Sequence, residues 1–296
     1  MDTKSINFSN QRKHNAVVRF LRLCVISYVY LFIFTSQFSP FGGVYKSSVL
    51  WLCKNVFHQK QVKYIEMTGS GDTTLDYWVV LVNVGLAVIT AVVILLADKK
   101  QRTFKDFHGF TVVIARYYVA MVMLSYGFAK LHDGQFPANT IGRLEERVGD
   151  MSPMGVVWTM MGASTGYTFV SGLLEVIGGL LLLFRRTKTF GALFSMTVMI
   201  NVALLNFFYD VPVKIFSSHI VLFCVFIVSG DAIALYRFCT ASAIAITFSK
   251  KNIRQKMEEN YTYYTQMACN SFFYIELFIC AVLYTAGSLN GRGIYC

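Results

Sequence analysis

Long runs without a single charge, the first of them residues 23–44 and 77–97, limit this chain more than any other feature. A helix crossing the hydrocarbon core of a bilayer, ~30 Å thick, needs ~20 consecutive mainly apolar residues. Both runs reach that length, which no ordinary loop or strand of a water-soluble domain would use. The helical part of the first is expected at about 17–37. The same rule picks out 109–131, which contains Arg116 and ends near Lys130, and about 164–184, which contains Glu175. It also picks out 189–209, 215 to about 235, and about 267–288, which contains Glu276. The expectation is an all-α polytopic membrane protein with about seven spans. Composition agrees, since 55% of the 296 residues are hydrophobic and 15% are charged, whereas a soluble domain carries about a quarter charged residues.

The formal charge of +11 arises from 27 Lys and Arg against 16 Asp and Glu. In a soluble protein it would point to nucleic acid, but here the distribution matters more than the sum. With the N-terminus in the cytoplasm, the inside segments hold 17 basic residues and the outside segments 9, with Arg116 within a span. Cationic loops stay on the cytoplasmic side, so the expected orientation is N-terminus inside and C-terminus outside, with the lipid bilayer as partner and no nucleic acid. Trp51, Trp78 and Trp158 fall at outer ends, where an aromatic belt sits. Lys4, Arg12, Lys13, Arg19 and Arg22 precede the first run as in a signal peptide. The run is long, however, and 34–38 is a poor small-x-small site, so an uncleaved anchor is expected.

Two outer loops carry local signals. Over 45–57, Val49, Leu52, Cys53 and Val56 share one helical face, which suits an in-plane amphipathic helix. Ser152 and Pro153 form an N-cap and first-turn pair opening a short helix over 154–161. No phosphate-cradling glycine loop, HExxH, GxSxG or CxxC occurs, so no motif decides whether the chain is an enzyme. No ligand spacing supports a metal. Cys53 and Cys296 both fall outside, where an oxidising compartment would let them pair; two unpaired thiols are the alternative.

Charge inside hydrocarbon costs at least ~2.5–3.5 kcal/mol, so the intramembrane charges carry the most information. At ~1.5 Å per helical residue, Arg116 lies roughly 10 Å deep, and Glu175 and Glu276 roughly 13 Å. That similarity predicts an Arg116–Glu175 pair, with Glu276 sharing the arginine or protonated. Such a pair could simply register two helices, or it could belong to a proton or quinone site. At the outer surface, Tyr126, Lys130 and Asp133 share a face by i, i+4, i+7 spacing, with His132 beside them. Asn206 and Asp210 end the next rising span, and Lys214 and His219 follow a short turn. These residues could line a polar pocket for an anionic group, or make ordinary interface salt bridges. Gly172, Gly178 and Gly179 flank Glu175, and Gly127 lies on the preceding span, as close helix packing requires.

Between about Arg116 and Gly230 the chain resembles the DoxX-like family of four-helix membrane proteins. The resemblance rests on Arg116-Tyr117, on Tyr126-Gly127-Phe128-Ala129-Lys130-Leu131, and on the glycine-flanked acidic helix 172–179. It rests also on Asn206-Phe207-Phe208-Tyr209-Asp210-Val211-Pro212-Val213-Lys214 followed by His219. It implies a four-helix core over 109–235, a two-span extension over 1–108, and a cytoplasmic loop with a last span over 236–296. It further implies that Arg116, Lys130, Glu175 and His219 are polar positions of the family type. The functional expectation is a membrane-embedded subunit of a redox-linked or cell-envelope assembly in a bacterial cytoplasmic membrane, with quinone a conceivable cofactor. The alternative is a non-enzymatic scaffold, receptor or transporter subunit that binds an extracytoplasmic protein partner.

Overall fold

The computed structural model describes residues 3–36, 41–59, 61–63, 71–97, 103–132 and 134–235. Every regular element among them is helical: α1 (Thr3–Thr35), α2 (Gly42–Asn55), α3 (Thr74–Ala97), α4 (Thr103–Leu131), α5 (Ile141–Glu145), α6 (Pro153–Ala163), α7 (Thr165–Leu183), α8 (Lys188–Phe208) and α9 (Lys214–Ser229). Among the described residues, five stretches are long and apolar enough to cross a membrane: Ala16–Thr35 of α1, all of α3, Phe107–Leu131 of α4, and all of α7 and α8. Helix α9 is apolar but has 16 residues, ~24 Å at ~1.5 Å per residue. The expected span at 267–288 lies outside the described residues, together with Asp133, Glu276 and Cys296. The helices α1–α9 fall in one unit, Met1–Ala232, and a second unit covers Ile233–Cys296.

The distribution of side chains is that of a protein dissolved in lipid. Leu81, Ile89, Val93, Leu96, Phe190 and Leu222 point outward, where water would penalise them and acyl chains would not. Inside, α4 packs on α7, α7 on α8, α8 on α9, and α9 back on α4, closing a ring of four helices. Its centre is filled by residues such as Val119, Val122, Met123, Leu182, Ile220 and Phe223. Helix α1 lies against α3 and α4, and α2 lies against α3.

Glycine sets the closest of these contacts. A Cβ on Gly127 would sit 2.8 Å from the Gly172 carbonyl oxygen and 2.9 Å from the Val176 nitrogen, and one on Gly172 would sit 2.8 Å from the Gly127 oxygen. Backbone therefore meets backbone across α4 and α7, an approach that any side chain would prevent. Ser164 separates α6 from α7 and caps the latter, its hydroxyl accepting from Tyr167 N at 3.2 Å. The cap expected at Ser152 also forms, accepting from Gly155 N at 3.1 Å with Pro153 in the first turn of α6. In α2, Val49 and Cys53 are buried against α3 as their shared face foretold, whereas Val56 of that face is exposed.

Polar side chains fasten the surrounding segments to one another and to the ring. Asn83, fully buried in α3, donates to the Thr35 hydroxyl at 2.9 Å and accepts from the Tyr45 hydroxyl at 2.7 Å, so it joins α1, α2 and α3. Asp72 accepts from the backbone nitrogens of Lys214 and Ile215, the latter at 2.9 Å. It thereby satisfies two of the four orphan donors at the α9 N-terminus from a distant loop. Asn83→Leu should take the acceptor from the half-buried Tyr45 hydroxyl and the donor from the buried Thr35 hydroxyl, and cost about 1–3 kcal/mol. Thermal unfolding in detergent checks this against Thr90→Leu on the exposed face of α3, which should be near neutral; equal losses would remove the role given to Asn83.

Candidate functional site

The most buried charges of the ring meet between α4 and α7. Lys130 donates to Glu175 Oε1 and forms an ion pair with it; the two residues are 5% and 1% exposed. Side-chain direction explains the partnership. Every helical Cα–Cβ bond tilts toward its own N-terminus. On antiparallel helices, Lys130 at the end of α4 therefore leans back into the bundle while Glu175 leans toward it. The glycine contacts one turn away hold the two backbones close enough for the lysine stem to span the gap. Glu175 Oε2 and, one helical turn along at the α8 contact, Ser195 Oγ are buried without a hydrogen-bond partner. Ser195 fits against α7 where Gly178 lacks a Cβ, which would lie 2.6 Å from its hydroxyl.

The expected Arg116–Glu175 pair does not form. Gly127 faces Gly172 and Val176, and Gly179 faces Ala120 and Leu124, so successive turns backward along α4 answer turns forward along α7. Arg116 then comes level with about Phe184, roughly nine residues or ~14 Å beyond Glu175. Its side chain also leans away from the carboxylate, toward the α7–α8 turn. Depth counted from assumed span ends had put the two charges at one level; the packing register separates them. Arg116 is 6% exposed and stacks over the Tyr117 ring, 4.6 Å from its centroid.

The polar group expected at the outer ends resolves into separate contacts. Lys130 is drawn inward to Glu175. Exposed His132 bonds through Nδ1 to the Phe128 carbonyl at 3.1 Å. Tyr126 is half-buried, its ring 5.8 Å from that of Phe216. Asn206 donates to the Ser217 hydroxyl at 3.0 Å, which ties α8 to α9. Asp210, at a positive φ of 51° in the turn, pairs with Lys214. His219 is buried and turned to α1: its Nδ1 lies 2.6 Å from the Ile215 carbonyl, so that nitrogen carries the proton and Nε2 accepts from the Tyr28 hydroxyl at 2.6 Å. Phe32 stacks on the imidazole with centroids 4.1 Å apart. Cys53 is buried beside Val49, Val62, Leu75 and Val79.

Residues that the spacing reading passed over do much of the fastening: Tyr28, Asn83, Asp72 and Ser195. Asn83 carried a usable signal, since it is the one amide within the run 77–97. Asp72 sits among small polar residues, and Ser195 is a single hydroxyl in an apolar run that also holds Thr197, so neither stood out. A further pair closes the opposite end of the bundle, where Asp231 lies 2.9 Å from Lys188 and accepts from the Thr189 hydroxyl. Partial burial pushes the Asp231 carboxyl up, but the Thr189 hydroxyl and the Lys188 ammonium outweigh it and hold the group below its ordinary value. A carboxyl lowered by folding adds stability above its unfolded value, near 3.9, and loses it as the pH falls through the folded one. The thermal advantage of the native protein over Asp231→Asn should thus be constant near neutrality and shrink below about pH 4. An advantage that grew on acidification would contradict the assignment.

Buried ion pair, close-packed glycine helices and lipid-facing apolar surfaces together define a polytopic α-helical integral membrane protein. Over 116 residues, 39% of this chain, it is 30% identical to the uncharacterized protein YwoB of Bacillus subtilis (strain 168), and the match covers 73% of that protein. The chain belongs to the family of YwoB. No protein-family model and no solved structure matches it.

Proposed function

We propose that the chain is a DoxX-like protein that acts as the membrane-embedded subunit of a cell-envelope or redox-linked assembly in a bacterial cytoplasmic membrane. Its N-terminus faces the cytoplasm, and a further span over 267–288 brings the C-terminus outside. The ring of α4, α7, α8 and α9 supports the four-helix reading, since it is built from the segment that carries the resemblance. The excess of basic residues on one set of loops supports the orientation.

One observation carries the assembly reading: the segment between α4 and α7. Asn139 donates to the Thr159 carbonyl at 2.9 Å, and Phe136 packs edge-on against Trp158 at 5.1 Å. From that braced base Ile141, Leu144 and Val148 project at 75%, 65% and 72% exposure. A fixed base with an outward apolar row suits a protein partner outside the membrane. Pairing of Glu175 with Lys130 through Oε1 favours a scaffold over a chain that performs the redox step itself.

Purification in mild detergent tests this. The native protein should elute with a stoichiometric partner, and Leu144→Asp with Val148→Asp should release it while leaving a folded chain. A native protein that elutes alone, with the same mass as the doubly changed one, would sink the assembly reading.

A further inference from the structure

Arg116 is a guanidinium without a counter-charge among the described residues. It is 6% exposed. Its Nε has no hydrogen-bond partner, and none of the ion pairs among the described residues involves it. Its guanidinium lies over the Tyr117 ring, 4.6 Å from the centroid. That contact covers a face of the planar group and leaves the in-plane N–H fork unused. A buried charge without a partner is strongly destabilising, so the site calls for an anion.

Position narrows the anion. The α4–α7 register brings Arg116 level with the turn between α7 and α8, and its side chain leans to that end of the bundle. The turn holds Arg185 and Arg186, both exposed. Helix ends and a charged turn mark the boundary where acyl chains give way to head groups. At that boundary the abundant net anion is the phosphodiester of an acidic lipid, whose charge no head-group ammonium offsets as choline does in phosphatidylcholine, and a guanidinium fork matches two phosphate oxygens. We propose that Arg116 is the buried arm of a phosphate site at the α7–α8 end of the bundle, occupied by the head group of an anionic phospholipid, with Arg186 at its rim. This stands apart from the assembly reading, which concerns the opposite end.

The test compares the full chain in nanodiscs of phosphatidylcholine with nanodiscs that also contain phosphatidylglycerol, and adds inorganic phosphate to the former. Native mass spectrometry reads retained lipid, and thermal unfolding reads stability. Phosphatidylglycerol should stay bound to the native protein and raise its unfolding midpoint. Arg116→Gln should weaken retention at least about tenfold, the scale of a lost charged bidentate contact, and abolish the midpoint rise. Arg186→Gln should weaken retention a few-fold with the midpoint in phosphatidylcholine unchanged. In phosphatidylcholine alone Arg116→Gln should be as stable as the native protein or more so, because a buried unpaired charge is gone. Loss of stability or failure to fold in that lipid would mean that Arg116 has a partner within the chain, and would overturn the proposal. Equal retention of phosphatidylglycerol by Arg116→Gln would overturn it too. An equal midpoint rise from inorganic phosphate would replace the lipid with a free anion and reject the lipid as occupant.

Discussion

Glu175→Gln should be among the most damaging single changes in this protein, costing about 3–5 kcal/mol, because it leaves the Lys130 ammonium buried without its counter-charge. The size follows from burial: Lys130 and Glu175 are 5% and 1% exposed and are contributed by helices in backbone contact. Water cannot compensate for the missing carboxylate there, as it does for exposed pairs worth ~0–1 kcal/mol. Removing both charges together is a different matter. Lys130→Met with Glu175→Leu should recover most of the loss, since apolar groups of similar volume often replace a buried pair at no net cost. Unfolding midpoints of the native, single and double variants in one detergent provide the comparison.

The second large effect is steric. Alanine at Gly127 or Gly172 would place a methyl 2.7–2.9 Å from backbone and side-chain atoms of the facing helix. No side chain can rotate away to relieve a clash with a carbonyl, so the helices must part. Overpacking of this kind costs about 1–3 kcal/mol, and here it also stretches the reach of Lys130 to Glu175. Gly172→Ala should therefore lose stability and also reduce the further loss caused by Glu175→Gln, because the pair is already weakened. Gly85 in α3 provides the contrast: nothing lies within 4 Å of its added Cβ, so Gly85→Ala should gain up to about 1 kcal/mol from helix propensity. If Gly85→Ala and Gly172→Ala behaved alike, close approach would not be what these glycines provide.

The membrane class and the helices of α1, α3, α4, α7 and α8 were legible because hydrocarbon thickness imposes a length and a polarity on each span. Caps at Ser152 and Ser164 are local, and the first could be read from the Ser-Pro pair alone. The importance of Glu175 was legible too, from its isolation in an apolar run between glycines. Its partner was not. Choosing between Arg116 and Lys130 requires the register of α4 against α7 and the lean of each side chain. Register comes from which glycines touch, a property of two segments some 45 positions apart in sequence. Spacing and shared depth likewise grouped Tyr126, Lys130, His132, Asn206, Asp210, Lys214 and His219 at one end, yet apart from the Asp210–Lys214 pair each finds a neighbour outside the group. Shared depth made them appear to be one pocket; the azimuth around each helix, fixed by packing, separates them. His219 shows this most clearly, since its imidazole is used by Tyr28 and Phe32 of α1, the helix that the four-helix resemblance leaves out.

A double-mutant cycle between Glu175 and each candidate cation, read by reversible unfolding in nanodiscs, tests the central claim most directly. Glu175→Leu with Lys130→Met should show a coupling of about 2–3 kcal/mol, whereas Glu175→Leu with Arg116→Met should be additive within about 0.5 kcal/mol. Additive losses for Lys130, or a coupling that follows Arg116 instead, would contradict the ion pair on which this account of the helix bundle rests.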